Sequence, residues 1–136
     1  MKNIKFLSIL ILVLTLSTIS CSKKDSSSKT SKELLTSKKW SQLTFKINGI
    51  VEVQDACQSD NYIQFSSDGT YVYNPGTVKC YTGETAQTGT WTLSSDGKTL
   101  TVGGGNPVTI AVLTESKMVI KYTDGADNYE ETYIPL

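Results

Sequence analysis

One turn signal, Ser-Ser-Asp-Gly, occurs twice with strand-forming residues on both sides, and it restricts the fold of this chain more than any other feature. The first copy, Ser66 to Gly69, joins Tyr62-Ile63-Gln64-Phe65 to Thr70-Tyr71-Val72-Tyr73. The second, Ser94 to Gly97, joins Thr90-Trp91-Thr92-Leu93 to Lys98-Thr99-Leu100-Thr101-Val102. In each, Asp can hydrogen-bond the backbone and Gly can take the positive φ of a type I turn with a bulge. Two β-hairpins are therefore expected. A three-residue loop with a bulge in the first would set Phe65 opposite Tyr71 and Ile63 opposite Tyr73. In the second, Leu93 faces either Thr99 or Leu100.

The same grammar runs through the rest of the chain. Trp40 to Ile47 alternates Trp40, Gln42 and Thr44 with Leu43, Phe45 and Ile47, Asn48-Gly49 is the strongest two-residue hairpin turn, and Ile50 to Val53 is its return. Asn74-Pro75-Gly76 and the polar loop Thr82 to Thr88 link the two Ser-Ser-Asp-Gly hairpins. Gly103-Gly104-Gly105-Asn106-Pro107 is a turn that no helix or central strand tolerates. Val108 to Leu113, Lys117 to Tyr122 and Tyr129 to Ile134 follow as strands. Eight or nine short strands joined by tight turns predict an antiparallel meander that closes as a barrel or pairs as a sandwich to hide its edges. The one helical signal is Ser31 to Lys39, with Ser31 as cap and Leu34 and Leu35 as an apolar edge laid over one end of the domain.

The N-terminus gives an address. Met1 to Lys5 is basic and Phe6 to Ile19 is apolar but for Ser and Thr, shorter than the roughly 20 residues of a membrane span, so residues 1–20 read as a secretory signal. Thr18-Ile19-Ser20-Cys21 resembles the bacterial lipobox, with Thr18 standing where Leu is usual, and the resemblance implies acylation of Cys21. Several acyl chains on one residue suffice for stable anchoring. Residues 21–31 are then a flexible tether spanning on the order of 17 Å, and residues 32–136 the domain. Three cysteines would leave an odd thiol in an exported protein. With Cys21 lipidated, Cys57 and Cys80 remain as a disulfide pair.

Charge and composition exclude several classes. Lys23 to Lys39 holds six lysines, whereas Trp40 to Leu136 holds five against eleven acidic residues, and the chain has no arginine. Phosphate binding needs clustered cations, so no nucleic-acid partner is expected. Without histidine, a Ser or Cys nucleophile lacks its usual base and a zinc site its commonest ligand. Glu130 and Glu131 are neighbours in a strand and point to opposite faces, which rules them out as an acid/base pair. Asp124, Asp127 and Asn128 lack EF-hand spacing. No enzyme activity, metal or cofactor is expected.

A helical turn before Trp40, Cys57 ahead of a strand ending Phe65-Ser66-Ser67-Asp68-Gly69-Thr70-Tyr71, a second Cys80, then Thr88-Gly89-Thr90-Trp91-Thr92-Leu93 and Asp96-Gly97-Lys98-Thr99-Leu100 form one set. Together they resemble the lipocalin-like domain of small lipoproteins from Bacteroidetes-type bacteria. The resemblance runs from Leu34 to Tyr133 and implies an all-β fold, a small antiparallel up-and-down β-barrel of about eight strands with a short N-terminal helix. Lys38 stands where true lipocalins carry Gly two residues before the first-strand Trp. Trp40, Phe65, Tyr71, Tyr73 and Trp91 either line a pocket or pack the core. Two functions follow: a monomeric, membrane-anchored barrel in the cell envelope, at the outer membrane, that binds a small apolar or sugar-like ligand, or an envelope accessory subunit or inhibitor that docks a protein through loops such as Tyr81 to Gly89. A void among the aromatics favours the first, a filled interior with an outer apolar patch the second.

Overall fold

The turn grammar becomes nine antiparallel strands and one short helix in the computed structural model, which describes residues 28–136. The apolar run 6–19, Cys21 and most of the tether lie outside the described residues. The elements are α1 (Ser31–Thr36), β1 (Lys39–Ile47), β2 (Ile50–Glu52), a 3-10 turn (Ala56–Gln58), β3 (Tyr62–Phe65), β4 (Thr70–Asn74), β5 (Gln87–Leu93), β6 (Thr99–Val102), β7 (Val108–Leu113), β8 (Met118–Asp124) and β9 (Asp127–Pro135). β3 to β9 pair in sequence order, and β1 pairs with both β3 and β9, closing an eight-stranded barrel. β2 lies outside the ring as a hairpin on the far half of β1. The first hairpin has the expected register, Phe65 opposite Tyr71 and Ile63 opposite Tyr73. In the second, Leu93 faces Leu100, which puts two apolar side chains together.

Two bulges adjust the alternation. Between Gln42 and Thr44 the β1–β9 register shifts, so Trp40 and Gln42 share the inner face with Phe45 and Ile47 and Leu43 is turned out, 52% exposed. Plain alternation would have put Trp40 and Phe45 on opposite faces; the extra residue restores parity where the strand must bend round the barrel. A second shift between Ile110 and Val112 does the same for β7. Some boundaries also differ from the sequence reading. β5 begins at Gln87, because Gln87 to Gly89 pair with Tyr71 to Tyr73. The helix cap is Thr30 rather than Ser31: Thr30 Oγ1 accepts from the Glu33 amide at 3.2 Å and Glu33 Oε2 accepts from the Thr30 amide at 2.7 Å, a reciprocal box available only with Glu three residues on. The helix stops at Thr36 rather than running to Lys39, with Ser37 Oγ donating to the Leu34 carbonyl at 3.0 Å and β1 beginning at Lys39.

The two ends of the barrel are unlike. At one end lie the Ser66–Gly69, Ser94–Lys98 and Thr114–Lys117 turns, covered by α1. Leu35 and Trp40 are fully buried there, and Trp40 Nε1 donates to the Leu35 carbonyl at 3.0 Å. Phe65, Trp91, Leu100 and Met118 complete this part of the core. At the other end lie the β1–β2 hairpin, residues 53–61, 75–86 and 103–107, and the β8–β9 turn.

Candidate ligand cavity

The cavity arises because β1 and β3 pair only at Lys39–Gln64 and Trp40–Ile63. Past Trp40 the strands splay, and residues 53–61 fill the gap as a loop. That loop is held to its neighbour by the Cys57–Cys80 disulfide, with Cα atoms 5.1 Å apart, so the expected pair forms at the open end of the barrel. Asn61, 8% exposed, adds a second tie. With its amide oxygen accepting from the Tyr73 hydroxyl at 2.7 Å, its nitrogen donates to the carbonyls of Pro75 at 2.8 Å and Cys57 at 3.3 Å, and every polar atom of the group is satisfied.

Two adjoining cavities lie within. The outer one, about 190 Å³, is walled by Trp40, Gln42, Gln58, Asn61, Tyr73 and Tyr133 among others. The inner one, about 270 Å³, is mostly apolar: Phe65, Leu100, Val102, Val108, Met118 and Ile120 form its wall, with Asn106 from the glycine-rich turn and the polar trio Tyr122, Glu131 and Tyr133. Ile63 and Tyr133 border both.

Of the five aromatic candidates, Trp40 and Tyr73 face the outer cavity and Phe65 the inner one. Tyr71 and Trp91 border neither and stand behind Phe65, at ring-centroid distances of 6.5 Å and 5.4 Å from it. Trp91 Nε1 donates to the Ser66 carbonyl at 3.0 Å. The Tyr71 ring lies across Gly89, where a Cβ would come within 2.6 Å of Cε1, so any side chain there would displace the ring.

The reading from sequence missed the polar trio. On β9 the inward residues are Tyr129, Glu131 and Tyr133, and the outward ones include Glu130 and Thr132. Glu130 pairs with Lys46 at 2.8 Å and Lys121 at 2.9 Å, and these hydrogen bonds bring its carboxyl down to about 2. Glu131 points the other way. Its Oε1 accepts from the Tyr122 hydroxyl at 2.8 Å, and its Oε2 from the Tyr133 hydroxyl and from Gln42 Nε2 at 2.9 Å. Gln42 is oriented in turn by Gln54 Nε2, which donates to its Oε1 at 2.7 Å. Burial raises both tyrosine pKa values above the usual phenol range, and the Glu131 carboxylate adds to the rise, so both hydroxyls remain donors. Tyr129 stacks on Tyr122 at 4.9 Å and on Phe45 at 5.9 Å, extending an aromatic wall from the trio towards the open end. Parity along β9 was the signal that could have found Glu131, since it shares a face with two tyrosines.

The lipocalin-like domain family matches residues 36–120. The chain belongs to the lipocalin-like domain family. The closed antiparallel barrel with one short helix agrees with that assignment. Lipocalin-like barrels are binding folds, and this one has the interior space such a fold uses. Comparison with curated proteins finds no match. The matched segment ends within β8, so the strand that supplies Glu131 and Tyr133 lies beyond it. Among the described residues, no group of three His, Cys, Asp or Glu stands close enough together to hold a metal ion.

Proposed function

We propose that this lipocalin-like chain is an envelope lipoprotein of the kind found in Bacteroidetes-type bacteria. In this reading Cys21 carries the lipid, the domain stands off the outer membrane as a monomer on its periplasmic or surface side, and the barrel binds a small, largely apolar or sugar-like ligand rather than catalysing a reaction. The observation that carries it is the pair of adjoining cavities inside a family barrel, one walled mainly by apolar side chains and both bordered by aromatic and polar groups. Native mass spectrometry of the full-length protein purified from its own host tests the reading. A co-purifying small mass is the expected result. A ligand-free spectrum, together with failure of a neutral apolar probe such as N-phenyl-1-naphthylamine to bind, overturns it.

A second reading has one observation in its favour. Ile50, Val51 and Val53, on and beside β2, are 69%, 57% and 96% exposed, and β2 has a partner on one edge only. An accessory subunit or inhibitor would dock a protein there. In that case a partner protein is captured and its capture is lost on Val51→Lys, whereas the binding reading expects ligand uptake to be unaffected by that change.

A further inference from the structure

We propose that the inner cavity selects an organic cation, a small apolar amine whose ammonium group docks on Glu131 while its carbon skeleton fills the apolar wall. This deepens the binding reading and rests on it.

The first argument is an uncompensated charge. Glu131 is the one charged side chain bordering the inner cavity. Among the described residues no lysine pairs with it; Lys46 and Lys121, on the strands that flank β9, lie on the outer face and are engaged with Glu130. A carboxylate offers about four acceptor sites. The two tyrosines and Gln42 supply three donors, one to Oε1 and two to Oε2, which leaves Oε1 with room for another. Hydrogen bonds from neutral donors hold the carboxylate in place without neutralising it. In a low-dielectric cavity a cation gains far more from such a group than it does in water.

The second argument is the aromatic surround. Tyr122 and Tyr133 border the same cavity, and Tyr129 and Phe45 stack behind Tyr122. The Tyr122 and Tyr133 hydroxyls converge on Glu131, and the rings behind them offer flat apolar surface to the carbon skeleton of a ligand whose charged group lies at the carboxylate. The rest of the wall, Val102, Val108, Met118 and Ile120, offers a hydrocarbon nothing but dispersion and burial.

The third argument is the field at the mouth. The connections at the open end and the strand ends beside them carry Glu52, Asp55, Asp60, Glu84, Asp124 and Asp127 against Lys46 and Lys79, and Lys46 is engaged with Glu130. Lysines 29, 32, 38, 39, 98 and 117 belong to the helix-covered end, against Glu33, Asp68, Asp96 and Glu115. The barrel is thus polarised, with its negative end at the entrance, an arrangement that concentrates cations and repels carboxylates.

The test is calorimetric titration of the full-length protein in lipid nanodiscs with three probes of matched size, phenethylamine, 2-phenylethanol and 3-phenylpropanoate, with empty nanodiscs as the blank. The amine is expected to bind about tenfold or more tightly than the alcohol, and the carboxylate most weakly. Glu131→Gln, which keeps the shape and an acceptor, is expected to bring the amine to the affinity of the alcohol and leave the alcohol unchanged. Equal affinity for amine and alcohol, or preference for the carboxylate, overturns cation selection and leaves the binding reading intact. Failure of all three to bind overturns cation selection, and the binding reading then stands or falls on the native mass spectrum and the neutral probe. An amine preference that survives in Glu131→Gln overturns the assignment to Glu131. Should that variant not fold, the ranking of the three probes on the unaltered protein decides.

Discussion

The helix-covered end of the barrel and its open end are built from different kinds of interaction. At the covered end the turns are held mainly by residues close in sequence, with two longer ties, Trp91 Nε1 to the Ser66 carbonyl and Glu115 to Lys29 and Lys38. Asp68 Oδ1 accepts from the Thr70 amide at 2.9 Å and hydroxyl at 2.7 Å, and Asp96 Oδ1 accepts from Ser94 Oγ at 2.5 Å and the Lys98 amide at 3.1 Å. At the open end the loops are longer and are held by groups far apart in sequence. Cys57 bonds Cys80, Asn61 bridges Tyr73 and Pro75, and Asp60 Oδ2 accepts from the amide and hydroxyl of Thr77 at 2.6 Å each. The lesson is a division of labour. Local turns and a dry aromatic plug make one end a rigid base, and cross-loop ties leave the other end space to admit a ligand.

Breaking the base is expected to have the largest effect. Trp40→Ala removes a fully buried indole and its bond to the Leu35 carbonyl. The expected loss is about 3–5 kcal/mol in chemical denaturation. The corresponding break at the mouth, Cys57→Ser with Cys80→Ser, releases a loop with a sequence separation of 23. Chain entropy puts the loss at about 3 kcal/mol. Here the contrast sharpens, because hydrogen exchange and proteolysis are expected to increase first in residues 53–61 and 75–86 while the turns under α1 stay protected. Equal loosening at both ends would show that the two are a single cooperative unit.

Thr30→Ala is expected to cost about 1 kcal/mol, since it removes the cap of a helix whose Leu35 covers the base. Thermal melting checks it. The pH dependence is smaller still in the acid range, and the surface carboxylates and the cavity phenols contribute to it with opposite sign. Glu115, hydrogen-bonded to Lys29 and Lys38 at the base, has its carboxyl lowered from 4.5 to about 2. Its contribution is present above pH 4.5 and fades as the pH falls towards 2. The group is exposed, so the effect is slight and disappears in high salt. In the cavity, Tyr122 and Tyr133 titrate above the normal value of 10.0. Their contribution is intact below pH 10 and declines as the pH rises past it, because the unfolded chain loses those protons first. Denaturation midpoints followed from pH 2 to 12 would check both limbs.

Much of this was legible in the chain. Ser-Ser-Asp-Gly, Asn48-Gly49 and the glycine run at 103–105 are local instructions, and each turn they predict is present. Cysteine arithmetic identified the disulfide pair because so few cysteines were left to choose from. Phe65, Tyr71 and Tyr73 were found through the one hairpin whose register could be read, and Trp40 and Trp91 were added from the strands beside it. Tyr122, Tyr129, Tyr133 and Glu131 share one face of the β8–β9 hairpin, a relation that parity along the chain contains; which face turns inward, and that Gln42 and Phe45 meet it, depends on the closure of β1 on β9.

Sequence alone determined the strands, their turns and the cysteine pair, because each depends on residues within hydrogen-bonding reach along the chain or on a simple count. Tertiary structure decided which faces point inward and what they enclose. A bulge of one residue in β1 inverts the parity that alternation implies, and Gln42 meets Glu131 only when the last strand returns to the first. The physical reason is that local backbone preferences act over a few residues, whereas the position of a charge inside a barrel depends on how the whole sheet closes.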